Sequence, residues 1–524
     1  MVRLLDKRLA SLVSQPDRSV LCGGLKGIEK ESLRVTPAGR IATTRHPATL
    51  GSALTNPYIT TDFSEALIEL VTPPESETSA ALRFLDDIHR FVYANIGDEF
   101  LWATSMPCAV EGESSVPIAE YGPSNVGRMK HVYRRGLSYR YGRVMQAIAG
   151  VHFNYSLPEA FWPVYQDTRQ DRQALQAFIN DCYFALLRNF HRCGWLTLYL
   201  FGASPAVCKS FLGGRAADLD EFDAYTGYAP FATSLRMSDL GYKNQSQASV
   251  GLSVNRLDEY ISGLKHAVST PFPAYQKIGV LVDGEYRQLN ANLLQIENEY
   301  YSLIRPKRVA HSGERPTQAL IRGGVQYVEI RALDVSACDA NGVSAPQLRF
   351  LEAFLIYCLL KESPPVDAVE LEQIERNQLA AARNGRDPAL ELVRGEEGIS
   401  LRAWAAEILQ DMQGVCELLD RDRSDEAYRK ALAEQAAKVE DPDQTPSAMI
   451  LATMRERGEP FFTFGMRMSR QHRDRFLAAG PAEGPVLEIL RGQVAYSIEK
   501  QKKIEAADRI SFEEYLEHYF KGGA

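Results

Sequence analysis

Residues 27–35, Gly-Ile-Glu-Lys-Glu-Ser-Leu-Arg-Val, constrain the fold more than any other stretch of this chain. Their alternation predicts a β-strand, because successive side chains of extended backbone point to opposite faces. Glu29, Glu31, Leu33 and Val35 share one face; Ile28, Lys30, Ser32 and Arg34 share the other. The two glutamates stand about 6–7 Å apart along the strand. Leu33 and Val35 then anchor that face in a core. Carboxylates on an otherwise core-facing side are costly unless a cation meets them. The stretch therefore predicts a sheet that holds divalent metal on one face.

Three further segments repeat the pattern. In residues 59–73, Leu67, Glu69 and Val71 share a strand face, with Asp62 in a polar approach. In residues 150–156, Gly150, His152, Asn154 and Ser156 form a polar face, and Val151, Phe153 and Tyr155 an apolar one. In residues 325–333, Val325, Tyr327, Glu329, Arg331 and Leu333 lie together. Taken singly, Glu69 reads better as an exposed strand residue and His152 as a hydrogen-bonded sheet histidine. Taken together, oxygen ligands with one imidazole and no thiolate fit Mg²⁺ or Mn²⁺ better than zinc. The carboxylates outnumber what one ion needs, so two or more ions are expected. Such a site beside arginines suits phosphoryl transfer.

Helices are predicted over 78–97, with Leu82, Leu85, Ile88, Val92 and Ile96 inward, over 171–193 with a stop at Gly194, and over 256–267. Another begins at Ser344 with Pro346 in its first turn. Trp195–Phe201 reads as a strand, and Asp283-Gly284 as the type I′ turn of a hairpin. Residues 129–150 interleave Tyr133, Arg134, Arg135, Tyr139, Arg140 and Tyr141, a pattern that can line an anion or nucleotide site but by itself reads better as a solvated helix. Glu297 and Glu299 form an acidic cluster, and Arg305, Lys307 and Arg308 a basic knot that can clamp phosphate. Ser-Pro-Pro at 363–365 marks the clearest boundary. It divides a catalytic domain, 1–365, from a mainly helical part, 366–524, in which Leu401, Trp404, Ile408, Leu409 and Met412 keep helical spacing.

Several classes are disfavoured. The chain holds 59 basic and 67 acidic residues, a net charge of −8, which weighs against broad nucleic-acid binding. Its longest apolar run, Ala353–Leu360, is far shorter than the roughly 20 residues a membrane span requires. The N-terminal Leu4, Leu5, Leu9, Leu12 and Val13 suit an amphipathic helix, since Asp6, Lys7 and Arg8 interrupt any signal-peptide core. Eight scattered cysteines without a Cys-x-x-Cys pair read as reduced core residues of a cytoplasmic protein. No P-loop, Gly-x-Gly-x-x-Gly, Gly-x-Ser-x-Gly or His-Glu-x-x-His occurs.

Longer stretches then carry a resemblance. GLKGIEKESLRV, HPATLGSALTNPYITTDFSEALIELVTP, YGPSNVGRMKHVYRRGLSYRYG, GVHFNYSLP, YLFGASPAVC, ATSLRMSDLGY, LQIENEYYSLIRPKR and RGGVQYVEIRALD are similar to glutamate–cysteine ligases of the single-chain bacterial class. The likeness is dense from about residue 20 to 360 and thins beyond 365. It implies an α+β fold: a saddle-like antiparallel sheet with flanking helices, related to glutamine synthetase, and a helical C-terminal part. It implies ATP-dependent joining of the L-glutamate γ-carboxylate to the L-cysteine amine through γ-glutamyl phosphate. By position it implies Glu29, Glu31, Glu69, His152 and Glu329 as ligands of Mg²⁺, with Mn²⁺ as the alternative ion. Phe63, Tyr133, Leu137, Gln146, Tyr242 and Tyr301 would form a cysteine pocket. Arg134, Arg236 and Arg331 would contact substrate carboxylates or the phosphoryl group, and Asp62 would stand beside the reacting groups. The partners expected are small molecules only, with no nucleic acid, membrane or obligate protein partner. Another carboxylate–amine ligase on the same scaffold, or a metal-dependent hydrolase, would use a similar set.

Overall fold

The computed structural model describes residues 3–14, 21–241, 251–311 and 313–521. Seven antiparallel strands form its main sheet: β1 (Leu25–Val35), β2 (Ile59–Thr61), β3 (Leu67–Val71), β4 (Phe100–Leu101), β5 (Val151–Ser156), β6 (Ile304–Lys307) and β7 (Tyr327–Leu333). Their spatial order is β6-β7-β5-β1-β3-β2, with β4 pairing to the end of β1. The alternating segment 27–35 thus lies at the heart of the sheet, between β5 and β3.

Register decides which side chains meet. Glu29 stands opposite His152 on one side and Val71 on the other, Glu31 opposite Glu69, and Asn154 opposite Glu329. All of these point to one face. The other face presents Ile28, Ile68, Leu70, Val151, Phe153, Val328 and Ile330, each fully buried. Helices Thr78–Tyr93, Leu175–Cys193 and Ala345–Leu360 cover that side, so the core lies on the Ile28 face of β1. This reverses the assignment that the glutamates' apolar neighbours suggest. Burial of basic residues on the core side is possible because each is met: Lys26 by Glu352 at 3.0 Å, Lys30 by His89 at 2.8 Å, and Arg34 by Glu99 at 2.6 Å.

The helix from Ser344 forms as predicted. The Ser344 hydroxyl accepts from the Gln347 N–H, and Pro346 occupies the first turn, where its missing donor costs nothing. Asp283 and Gly284 both take positive φ between two short strands, as a type I′ turn requires. The strand expected at Trp195–Phe201 is instead a helix, every residue of it buried. A wholly buried apolar run has no polar side to reveal its period. The preceding helix does stop at Gly194, its C-cap, as expected; Gly194 keeps right-handed φ −65° and ψ −19° and leads straight into the next helix.

The cysteines also depart from expectation. Cys108 and Cys208 form a disulfide with Cα atoms 5.3 Å apart, and Cys22 and Cys338 are exposed. Cys182, Cys193, Cys358 and Cys416 are buried, as the apolar spacing predicts. Among the described residues no helix is long and apolar enough to cross a membrane.

Residues on both sides of the Ser-Pro-Pro boundary share one continuous core, which includes Val151, Ile330, Phe354, Met412 and Leu451. Trp195 packs on Trp404 with ring centroids 5.0 Å apart. Farther on, helix Gly484–Ala507 returns to the loop after β1. There the Thr55 hydroxyl donates to Ser497 O at 2.6 Å, and Ser52 N donates to the Ser497 hydroxyl at 3.1 Å.

Candidate active site

A cleft of about 730 Å³ lies over the glutamate face of the sheet. Its floor is β1, β3, β5 and β7, and one wall is helix α1 (Asn125–Tyr141). Ser124 caps that helix by accepting from Gly127 N, and the helix presents Lys130, Tyr133, Arg134 and Leu137 to the cleft. Of the Tyr/Arg interleaving, Tyr133, Arg134 and Tyr141 belong to the site wall, whereas Tyr139 is exposed. Glu29, Glu31, Asp62, Phe63, Glu69, Gln146, His152, Arg236, Tyr301, Glu329 and Arg331 also line it. Tyr242 lies outside the described residues.

At the centre, Glu29, His152 and Glu329 offer ligand atoms all within 4.8 Å of one another. His152 Nδ1 donates to Glu29 at 3.0 Å, and the Asn154 amide donates to the other Glu29 oxygen at 2.8 Å. Burial, the largest single influence, pushes the Glu29 carboxyl up, but the His152 hydrogen bond and the charges of His152 and Lys307 together leave the group below its usual range. Burial works the same way on Glu329, where Lys307 at 3.3 Å and Arg331 at 3.2 Å hold the carboxyl well below that range. Glu329 Oε2 is buried and makes no hydrogen bond.

Glu31 and Glu69 differ. Burial raises Glu31, and it raises Glu69 strongly, with Glu29, Asp62 and Glu31 adding repulsion. Arg331, joined at Glu31 by His152 and Arg236, offsets this only in part. A buried surplus of carboxylate charge on oxygen donors is the arrangement that divalent cations fit. The donor set, oxygens and one imidazole, matches hard ions.

The arginines are held from behind. Arg236 is buried, donates to Arg331 O at 3.1 Å and lies 3.7 Å from Asp334. A Cβ at residue 150 would collide with its guanidinium, so Gly150 is needed there. Gly150 N also donates to Glu31 at 2.7 Å. Arg331 stays firmly charged: burial opposes its charge, yet Glu329, Glu31 and Glu29 outweigh it. Arg134 Nε donates to Asp62 O, and its guanidinium lies 4.7 Å from the Tyr121 ring centre. Pairing of this kind orients Asp62 through its backbone and leaves its carboxylate facing the cleft.

The structure adds lining residues that sequence patterns did not single out, notably Lys130, Ile296, Leu320, Tyr515 and Tyr519. Burial pushes Lys130 down to about 8. The last two residues come from helix α2 (Phe512–Lys521), far along the chain from every acid-bearing strand.

The chain is similar to known proteins over nearly its whole length. The sequence model of the glutamate–cysteine ligase family matches residues 9–381. A glutamate–cysteine ligase of Alcanivorax borkumensis is 50% identical over 521 residues, covering 98% of this chain and 99% of the relative. One of Azotobacter vinelandii is 49% identical over 522 residues, covering 99% and 98%. The crystal structure of a glutamate–cysteine ligase of Francisella tularensis in complex with AMP matches with a TM-score of 0.90 at 37% identity, over 95% of this chain and 98% of that one. A bifunctional glutathione synthetase of Pasteurella multocida shares the fold, with a TM-score of 0.72 at 24% identity, over 89% of this chain and 55% of that one. The chain belongs to the glutamate–cysteine ligase family, the ligases that carry out the first step of glutathione biosynthesis.

Proposed function

We propose that this cleft joins the γ-carboxylate of L-glutamate to the amine of L-cysteine, with ATP spent to make a γ-glutamyl phosphate on the way. The observation that carries the reading is the convergence of Glu29, Glu31, Glu69, His152 and Glu329 on one sheet face, rimmed by Arg331 and Lys307. A carboxylate is a poor acyl donor, so its γ-oxygen must first accept the terminal phosphoryl group of ATP. Glu29, Glu31, Glu69, His152 and Glu329 would hold Mg²⁺, or Mn²⁺ in its place. Bound there, such ions neutralise phosphate charge and let two anions approach.

The chain's own groups do the rest. Arg331 meets charge on the phosphoryl group in transfer, and Arg236 steadies Arg331 through its backbone oxygen. Arg134 pairs with a substrate carboxylate. Phe63, Tyr133, Leu137, Gln146 and Tyr301 form the cysteine pocket, and family resemblance adds Tyr242. The amine must be neutral to attack, and Asp62 accepts the proton it sheds. The substrates are small molecules, and dependence on ATP supports a cytoplasmic location. Residues 1–365 act as the catalytic domain and 366–524 as the helical part packed on it.

The test is isotopic. With ¹⁸O in the glutamate γ-carboxylate, an acyl-phosphate route delivers one ¹⁸O to the released phosphate. Unlabelled phosphate would exclude it. A hydrolase acting through the same acids would instead form product without ATP.

A further inference from the structure

We propose that a second cavity, separate from the carboxylate cleft, is a binding site for a small aromatic monocarboxylate held by Lys361 and Tyr357. The cavity encloses about 190 Å³ and shares no lining residue with the cleft. It opens where helices Leu175–Cys193 and Ala345–Leu360 meet helices Ala368–Asn384 and Leu401–Leu419. Cys193, Tyr357 and Lys361 thus face it from one side of the Ser-Pro-Pro boundary, and Ile374, Trp404 and Ile408 from the other.

Charge is the first ground. Three carboxylates line the cavity, and each is already met: Glu370 by Arg192 at 2.6 Å, Glu407 by Arg394 at 2.6 Å, and Asp411 by Arg3. Lys361 is the lining cation left over. Among the described residues its ammonium donates to the Tyr357 hydroxyl alone, at 2.7 Å, and meets no carboxylate. An ammonium carries three N–H bonds, so two remain to be used. The Tyr357 hydroxyl accepts from Lys361 and, among the described residues, donates to nothing. Burial raises that hydroxyl far above its ordinary range, so its proton stays available for donation. A fully buried hydroxyl without an acceptor therefore stands 2.7 Å from an ammonium without a counter-ion. Both are costly as they stand, and one anionic acceptor satisfies both.

Shape and apolar surface are the second ground. Cys193, Ile374, Trp404 and Ile408 are all buried side chains, yet they border open space and not packed neighbours. Such surface gains contacts when an apolar body fills the space. An apolar cavity of about 150 Å³ is enough to hold benzene. This one, somewhat larger, has room for a ring with a carboxylate on it. The two carboxylate oxygens give one acceptor to Lys361 and one to Tyr357, and the ring takes the apolar remainder. A bare inorganic anion leaves that remainder unfilled, and a cation or neutral amine leaves Lys361 unmet. The ligand class is therefore a monoanion with a flat apolar body.

Isothermal titration of the full-length protein with benzoate tests this. Excess glutamate and MgADP are present throughout, so that the arginines of the cleft are occupied. Saturable binding at one site is expected. Lys361→Met keeps the aliphatic stem and removes the charge. Its Kd for benzoate should be at least about ten-fold higher, the low end of what a hydrogen bond to a charged group contributes. Benzamide has nearly the same shape without the charge, and its Kd for the wild type should likewise be at least about ten-fold higher than that of benzoate. A ligand that binds only the folded chain raises its Tm, so benzoate should do so for the wild type and much less for Lys361→Met. No saturable benzoate binding, or binding that Lys361→Met leaves intact, overturns the inference. Should Lys361→Met not fold, the wild type decides alone: equal affinity for benzoate and benzamide overturns it.

Discussion

Glu31 and Glu69 stand directly opposite each other on neighbouring antiparallel strands, and both carboxylates face the cleft. Like charges in that position destabilise a sheet. Burial adds to the load, raising both groups. A cation bound at the pair, as proposed, would relieve that load.

Glu69→Gln relieves that load. In chelator, the variant should be more stable than the wild type by roughly 0.5–1 kcal/mol in urea denaturation. Added Mg²⁺ should raise the wild-type Tm and raise the variant's less. A variant less stable than wild type in chelator would contradict the account of this pair.

Glu329 sits at the other side of the cluster, its Oε2 without a hydrogen bond and 3.3 Å from the Lys307 ammonium. Glu329→Gln keeps its volume and removes its charge. Turnover should fall roughly a hundred-fold or more, while the far-UV spectrum and unfolding transition stay cooperative. An active, metal-dependent Glu329→Gln enzyme would remove this residue from the site.

The strands were legible in the sequence because period two is a local signal. Glu29, Glu31, Glu69, His152 and Glu329 could be picked out, and register then brought them to one face. Which face of β1 is the core was not legible, because Lys26, Lys30 and Arg34 look solvent-facing until Glu352, His89 and Glu99 are placed beside them. Trp195–Phe201 misled for a related reason: total burial erases the helical stripe. The disulfide partners Cys108 and Cys208 lie 100 residues apart, and no local pattern pairs them. Tyr515 and Tyr519 went unseen because helix α2 shows an ordinary amphipathic stripe, Phe512, Tyr515, Leu516 and Tyr519, with nothing to say what it packs on.

The pocket around Phe63 and Tyr133 offers apolar and aromatic surface to a small thiol side chain. Such a pocket rejects a near-isostere by only about 10–200-fold in kcat/KM. L-2-Aminobutyrate, with methyl in place of thiol, should therefore turn over measurably. Complete rejection would require a specific thiol contact that this reading lacks.

His472 gives a pH-dependent test of the tail's packing. Its side chain is only 8% exposed and donates to Ala337 O at 2.8 Å. Burial pushes its pKa down to about 4. The folded value lies below the unfolded one, so between pH 6.5 and 4 the unfolded chain binds the extra proton. The histidine's contribution is intact above pH 6.5 and is lost as pH falls, by roughly 3 kcal/mol once pH 4 is reached. His472→Gln keeps a donor and removes the titration. Urea denaturation near pH 7 and near pH 4.5 should show the variant losing less stability than wild type. Equal losses would contradict it.

The most direct measurement is ADP release by the purified protein with ATP, Mg²⁺, L-glutamate and L-cysteine, repeated with each amino acid omitted. The account predicts sustained ADP release and γ-glutamylcysteine formation only in the complete mixture. ADP release that ignores cysteine, or dipeptide formed without ATP, would contradict it.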